Sequence, residues 1–173
     1  MNEERISLRK IKRNDFKYLK ELLQDEQLML IGWGKIYPDN QVRYWIDKII
    51  EQYSQYGYSY FLVENKDTNE FIGMAGLIQT EIRSRDCTEL AYIIKESYQG
   101  KGFGSEVAKK LIQMAFNEFN LNSVVAQFVP TNIASKRVVE TIGMKYKLTY
   151  TRVQNGNDKE HLVYEIKINQ YLK

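Results

Sequence analysis

Residues 99–105 read Gln99-Gly100-Lys101-Gly102-Phe103-Gly104-Ser105, a glycine-rich turn between an apolar strand and an amphipathic helix. The strand is Glu89-Leu90-Ala91-Tyr92-Ile93-Ile94. Closely spaced glycines allow backbone N–H groups to converge at the start of the helix, where the helix dipole also favours negative charge. The turn therefore predicts a site for the phosphate groups of a ligand. The helix is indicated by apolar residues along one face, at Ala108, Leu111, Ile112, Ala115, Phe116 and Phe119.

The spacing of the glycines distinguishes between classes of nucleotide site. A dinucleotide fingerprint requires G-x-G-x-x-G, and a P-loop requires Gly-Lys followed by Ser or Thr, whereas Lys101 is followed by Gly102. Gln99, Gly102 and Gly104 instead fit the pattern of Gln or Arg, two residues, Gly, one residue, and Gly or Ala. This pattern resembles the pyrophosphate-binding motif of the GNAT superfamily of N-acetyltransferases, which hold acetyl-coenzyme A. The alternative is a turn that only starts a helix.

A second segment, residues 130–144, supports the same resemblance. It follows another apolar strand, Val124 to Phe128. Family members commonly show Asn, a small residue three positions later, an aliphatic pair, Glu, and Gly followed by an aromatic residue or Met. The matching residues are Asn132, Ser135, Val138, Val139, Glu140, Gly143 and Met144. The chain is thus identified as a member of the GNAT superfamily, and it is most similar to the branch of ribosomal-protein N-terminal acetyltransferases and similar small-amine acetyltransferases.

The resemblance implies a GNAT-like fold in a single N-acetyltransferase domain, residues 1–173. We expect a mixed α/β sheet of about seven strands with four helices, and a central parallel strand pair splayed around the cofactor. The strand–helix–strand passage from Glu89 to Phe128 independently predicts a parallel crossover. The resemblance further implies that backbone groups of Ile93 and Ile94 pair with the pantetheine arm. The expected cofactor-binding residues are Ile93, Ile94, Gln99, Gly100, Lys101, Gly102, Phe103, Gly104, Ser105, Asn132 and Ser135, with Lys136 or Arg137 within reach of the ribose phosphate.

The remaining elements follow from periodicity and turn residues. One helix is expected after a cap at Asn14 or Asp15, and a glycine-bearing segment at 31–38 breaks it. A second helix begins near Asp39 and ends at Gly57. Strands are expected at 58–64 and 71–79, followed by a polar, mobile loop at 80–86. The last strand is expected at about 160–169.

Acetyl transfer to an amine requires a group that removes a proton, because a lysine-like ammonium has a pKa of about 10.4. Glu89 is the candidate proton acceptor, directly or through water, and the alternative is a salt-bridged residue at a strand edge. Glu81 and Asp86 are weaker candidates. The developing oxyanion requires a hydrogen-bond donor, and a backbone N–H near Ile93 is expected to supply it.

The proton donor for the leaving thiolate is left open by the sequence. Many family members place a Tyr directly before the Glu of the second motif, where this chain has Val139. Ser135 is the catalytic candidate, and its alternative role is to bind coenzyme A. Tyr146 and Tyr150 are further candidates. The step needs no acid if a thiolate with a pKa of about 8.5 leaves unaided.

Two single residues are interpreted as structural. Cys87 is the only cysteine, and a covalent acetyl-cysteine route would need a base beside it. A packing role as a small buried or half-buried residue is favoured for Cys87. His161 is the only histidine, and we expect it to face solvent in the last hairpin.

The acceptor is expected to lie against Trp33 and Tyr37 beside Glu89, and Trp45 either joins them or belongs to the core. A polyamine would require a strongly acidic cleft, whereas a peptide N-terminus would require an open groove. The sequence leaves a protein N-terminus and a small-molecule amine open. It also leaves a second class of function open, a non-catalytic acyl-coenzyme A sensor or interaction module.

Composition narrows the setting. The chain is 43% hydrophobic and 27% charged, as expected of a globular protein, and it lacks an apolar run long enough for a membrane helix. One cysteine and one histidine argue against a disulfide and a zinc site, so no metal is expected. The polar start of the chain lacks the pattern of a signal peptide, which predicts a cytoplasmic protein without a membrane partner.

The net charge of +3 raises the question of nucleic-acid binding. The basic residues Arg5, Arg9, Lys10, Lys12 and Arg13 cluster near the start, and tyrosines follow at 53, 56, 58 and 60. A solvated strand edge and half-buried strand tyrosines explain the pattern better, so no nucleic-acid partner is expected. The sequence allows a monomer or a homodimer.

Overall fold

A computed structural model describes residues 4–171, which form one mixed sheet with helices on both faces. Within that range the strand order is β1-β2-β3-β4-β5-β7-β6, and the sheet has seven strands as predicted. Neighbouring strands pair antiparallel except β4 and β5, which are parallel. The elements are β1 (Ile6–Lys10), α1 (Phe16–Leu23), α2 (Glu26–Gly32), α3 (Asp39–Tyr56), β2 (Tyr60–Asn65), β3 (Phe71–Ile82), β4 (Arg85–Ile94), α4 (Phe103–Asn117), β5 (Ser123–Phe128), α5 (Ile133–Thr141), β6 (Lys145–Gln154), β7 (Asn157–Lys167) and α6 (Ile168–Tyr171).

The described residues form six α-helices rather than the expected four. The first predicted helix is divided because the Asp25 side chain accepts a hydrogen bond from Leu28 N–H (3.1 Å) and caps a new helix, α2. The segment after β7 turns into the short helix α6, so the last strand ends at Lys167.

The predicted loop at 80–86 is largely a continuation of β3 and β4. Its turn is made by Arg83 and Ser84, whose φ angles of +50° and +58° match the positive-φ pair of a tight hairpin. Glu81 and Asp86 pair across the two strands and are exposed to solvent. The expectation of a loop was wrong because a two-residue turn needs few of the usual turn residues.

The two faces of the sheet carry separate apolar cores. On one face, α4 packs through Val107, Leu111 and Ala115 against the central strands. On the other, α1 and α3 bury Leu19 and Ile46 against β2 and β3. Burial of an apolar side chain of this size contributes about 1.5–3 kcal/mol, which anchors the central strands from both sides.

The parallel pair β4–β5 separates toward its C-terminal ends. Within the described residues, the two strands pair at Glu89 and Val125. Beyond that pair, residues 90–92 of β4 and 126–128 of β5 line a cavity between the two strands. The expected splay of the central strands is therefore present.

Candidate active site

Two adjoining cavities form a cleft beside the C-terminal half of β4, one toward α5 and the other toward β5. The turn cavity, of about 400 Å³, is lined by the glycine turn, the end of β4 and the start of α5. The Glu89 cavity, of about 230 Å³, is lined by Glu89, β5, β6 and β7. A group held in one cavity can therefore reach the other through their common wall, which consists of Ile31, Gly32, Trp33, Tyr92, Asn132 and Ser135.

The glycine turn directs backbone donors toward the turn cavity. Gly100 and Gly102 have φ angles of +71° and +85°, which favour glycine, and Gly102 is the N-cap of α4. The first helical hydrogen bond runs from Glu106 N–H to Gly102 O (3.1 Å), so the N–H groups of residues 103–105 have no carbonyl partner within the helix. Free N–H groups at the positive end of a fifteen-residue helix suit phosphate oxygens.

Most of the predicted cofactor-binding residues line the turn cavity. Gln99 also donates its side-chain amide to Ile94 O (2.8 Å), which ties the turn to β4. Two predicted residues lie outside the lining. Lys101 bonds Ser97 O (2.7 Å), and Phe103 is buried in the core, so only its backbone N–H belongs to the turn. The predicted residues that line the cavity are Ile93, Ile94, Gln99, Gly100, Gly102, Gly104, Ser105, Asn132 and Ser135, and Arg137 joins them.

The exposed edge of β4 offers hydrogen bonds to an extended ligand. Lys95 N–H donates to Ile72 O on β3 (2.9 Å). Because N–H directions alternate along a strand, Ile93 N–H also points to β3, while Tyr92 and Ile94 point to the cleft. The backbone donors available to a ligand are therefore the N–H groups of Tyr92 and Ile94, and not the N–H group of Ile93.

Asn132 and Ser135 begin α5 at the wall between the cavities. The Asn132 side chain accepts a hydrogen bond from Ser135 N–H (3.1 Å), so Asn132 caps the helix. The remaining amide donor of Asn132 and the Ser135 hydroxyl belong to side chains that line both cavities. The capping role and a ligand-binding role are thus compatible.

Glu89 is a half-buried carboxylate in the wall of its cavity. Burial raises its pKa from 4.5 to about 6, against the opposing effects of a hydrogen bond from Gln127 and the positive charge of Arg152. A carboxylate that titrates close to neutrality is suited to accept a proton.

Gln127 connects Glu89 to Tyr150. The Gln127 amide donates to Glu89 Oε2 (2.8 Å), and the Tyr150 hydroxyl donates to Gln127 Oε1 (2.5 Å). This chain of hydrogen bonds fixes the orientation of the carboxylate. Tyr150, predicted as a candidate acid for the thiolate, lies outside both cavities and supports Glu89 through Gln127. Gln127 was missed by the sequence analysis, although it lies two residues after Val125, the partner of Glu89 across the parallel pair.

Tyr92 is a second residue that the sequence analysis missed. Its hydroxyl is buried and has no hydrogen-bond partner among residues 4–171, and its side chain lines both cavities. Burial raises the pKa of this hydroxyl, and the Ser135 hydroxyl is close enough to lower that pKa in part, although the two groups do not meet hydrogen-bond geometry. A buried hydroxyl without a partner is available to a ligand. The sequence feature that could have identified Tyr92 is its position on β4, three residues after Glu89.

Several sequence-based candidates are placed differently by the structure. His161, expected to face solvent, is only 4% exposed and lines the Glu89 cavity, and burial lowers its pKa. Its Nδ1 lies 3.1 Å from Lys159 O, so Nδ1 carries the proton and Nε2 accepts in the neutral ring. Tyr146, Glu81 and Asp86 lie outside both cavities. Cys87 is half-buried against a small core cluster, in keeping with the packing role predicted for it, and burial raises the pKa of its thiol.

The acceptor side is covered by the end of α2 and the tip of the β6–β7 hairpin. Gln154 and Asn155 donate their side-chain amides to Gly32 O (3.1 Å) and Trp33 O (2.9 Å). Trp33 lines both cavities, as expected, whereas Tyr37 lies one layer behind. Tyr37 packs on Trp45, which stacks at 5.7 Å on the cavity residue Tyr60.

The basic residues near the start of the chain are largely paired with acids. Arg5 pairs with Glu106, and Arg9 bridges Asp15 and Glu64. In residues 4–171 no cluster of three His, Cys, Asp or Glu side chains is arranged to hold a metal. Within the same residues, no helix has the length and apolar character needed to cross a membrane.

Comparisons with known proteins identify the family of the chain. The family profile described as "Acetyltransferase (GNAT) domain" matches residues 5–145. The uncharacterized protein YkkB of Bacillus subtilis (strain 168) is 30% identical over 146 residues, which cover 84% of this chain and 85% of YkkB.

Two solved structures share the fold. RimL, a ribosomal-protein alpha-N-acetyltransferase in complex with coenzyme A, superposes with a TM-score of 0.82 at 18% identity, covering 97% of each chain. The spermidine N-acetyltransferase of Vibrio cholerae, in complex with CoA and spermine, gives a TM-score of 0.78 at 21% identity, covering 99% of this chain and 100% of that one. At these identities the likeness concerns the fold alone. The profile match over most of the chain establishes that it belongs to the GNAT acetyltransferase family.

Proposed function

We propose that the protein transfers the acetyl group of acetyl-coenzyme A directly to a primary amine, with Glu89 as the proton acceptor. The observation that carries the proposal is a half-buried carboxylate with a pKa of about 6 in a cavity that shares a wall with the glycine-turn cavity. The acceptor class is a protein N-terminus or a small-molecule amine.

The turn cavity fits the proposed cofactor. The free N–H groups of residues 103–105 would hold its pyrophosphate, and the cleft-facing N–H groups of Tyr92 and Ile94 would pair with its pantetheine arm. Acetyl-coenzyme A supplies a thioester carbonyl as the acyl donor. The Asn132 amide and Arg137 are further polar groups at this cavity.

The environment of Glu89 suits its carboxylate to accept a proton. Above pH about 6 the carboxylate is ionised and can accept a proton from an ammonium group in the same cavity. Gln127 and Tyr150 hold its orientation through their hydrogen bonds. The hydroxyls of Ser135 and Tyr92 belong to side chains that line both cavities, and they are the available proton donors for a thiolate, since Val139 supplies none.

The proposal is tested by calorimetric titration with acetyl-coenzyme A and by thiol release in the presence of amines. Gly102→Trp should abolish cofactor binding by blocking the turn. Gly57→Trp is the matched control, because Gly57 has a similar φ of +83° at the end of α3, away from both cavities. Retained binding in both variants would contradict the proposed site.

A second experiment separates catalysis from cofactor sensing. Glu89→Gln should retain acetyl-coenzyme A binding and lose most thiol release with an amine. A wild-type protein that binds the cofactor tightly but releases no thiol with any amine would favour a non-catalytic module.

A further inference from the structure

Arg152 is a charged residue of the Glu89 cavity that the mechanism does not use. It lies on β6, where strand alternation places Tyr150, Arg152 and Gln154 on one face. All three belong to the wall or the supports of the Glu89 cavity. Among residues 4–171 the Arg152 side chain forms no ion pair. Its guanidinium lies near enough to Glu89 and Tyr150 to act on their pKa values, but with no carboxylate of the described residues paired to it, its donors can bind an anion.

The hairpin holds Arg152 at the rim of the cavity. Gln154 and Asn155, on the same hairpin, are bonded to Gly32 O and Trp33 O at the end of α2. These contacts restrict the position of the strand that carries Arg152. The residue opposite Arg152 on β7 is Lys159, which adds a second positive charge to the same face.

The charges of the cavity select among amines. Among the residues that line the Glu89 cavity, Glu89 carries a carboxylate and Arg152 carries a positive charge. The lowered pKa of His161 leaves its ring neutral near pH 7. A polyamine would bring several positive charges toward Arg152 and Lys159, and like charges repel at close range. A molecule with one ammonium group and one anionic group instead complements Glu89 and Arg152 together.

The volume of the cavity also limits the acceptor. At about 230 Å³ it is smaller than the roughly 300–1,000 Å³ of sites for drug-sized ligands. A molecule of the size of one amino acid is appropriate, whereas a long chain would have to extend past the hairpin.

We infer that the acceptor is a small amine that carries a carboxylate, of the amino-acid class, and that Arg152 binds this carboxylate while Glu89 faces the amine. The inference rests on the proposed function. Guanidinium and carboxylate groups match in geometry through paired hydrogen bonds. Arg152 thus determines specificity and acts in binding rather than in chemistry.

The test compares each standard amino acid with its own carboxamide, and both with spermidine, by thiol release at saturating acetyl-coenzyme A. The best amino acid should exceed its carboxamide by about 10- to 100-fold in kcat/KM, the range expected for one charged hydrogen-bonded contact. The assay is run well above pH 6, where Glu89 is ionised with or without the neighbouring charge of Arg152. Under these conditions Arg152→Gln should remove this preference by raising the KM of the amino acid, and should leave its carboxamide within about twofold.

Arg85→Gln is the matched control, because Arg85 is an exposed arginine of the same sheet outside both cavities. Calorimetry with acetyl-coenzyme A verifies that Arg152→Gln remains folded. Equal or better reaction of carboxamides, peptide amides or spermidine in the wild type would overturn this inference and leave the acetyltransferase proposal intact. Equal losses for both members of a pair in Arg152→Gln would show a structural role and also overturn it. If none of the amines supported thiol release, that result would overturn the proposed function itself.

Discussion

Substitution of Glu89 by Gln separates the cost of burying this carboxylate from its proposed use as a base. The native pKa of about 6 exceeds the ordinary value of 4.5, so between these values the folded protein binds more protons than the unfolded chain. The free energy of unfolding contributed by Glu89 therefore falls as pH rises through this window. The pKa difference corresponds to about 2 kcal/mol, which is present at low pH and lost above pH about 6.

Glu89→Gln removes the charge and keeps an oxygen that can accept the hydrogen bond from Gln127. Relative to the wild type, the variant should gain about 2 kcal/mol of unfolding free energy between pH about 4 and pH about 7.5. Its kcat/KM for an amine should fall by about 100-fold or more. The wild-type rate should rise with pH through about 6, and this limb should be absent from the residual rate of the variant.

Urea denaturation at the two pH values and a pH series of thiol release measure these quantities. Glu81→Gln is the control, because Glu81 is an exposed carboxylate of the neighbouring strand outside both cavities. Glu81→Gln should leave the unfolding free energy at both pH values and the rate of thiol release at the wild-type values. Wild-type turnover in Glu89→Gln would refute the assignment of the base, and a stability difference that does not widen with pH would refute its desolvation.

Three further outcomes are expected. Tyr92→Phe removes a buried hydroxyl without a partner, so unfolding free energy should rise by about 1 kcal/mol while kcat falls, and unchanged kcat would exclude this hydroxyl as a proton donor. Asn155→Ala should raise the acceptor KM without changing acetyl-coenzyme A affinity in calorimetry, because the contact to Trp33 O is lost. Gly73→Ala should lower the unfolding free energy by about 1–3 kcal/mol in urea denaturation, because a Cβ would lie 2.1 Å from Ile93 O, and a neutral result would show that β3 relaxes there.

Residue spacing was sufficient to predict the structural features that depend on local sequence. The glycine turn, the amphipathic face of α4 and the cap at Asn132 each involve residues within a few positions of one another. The order of elements followed from the same local patterns, and it predicted the parallel crossover. The break between α1 and α2 was not predicted, because the apolar pattern of a helix continues through it. In the structure the Asp25 side chain caps the new helix α2 there.

The sequence by itself determined the seven-stranded mixed sheet and the glycine turn at the start of α4, because hydrophobic period and glycine spacing are local properties of the chain. Only the tertiary structure decided which side chains share the cleft. Gln127 meets Glu89 through the register of β4 and β5, and Tyr150 and Arg152 arrive through the pairing of β6 with β7. Register between distant strands is set by the packing of both faces of the sheet, and a shift of one residue would turn every one of these side chains away.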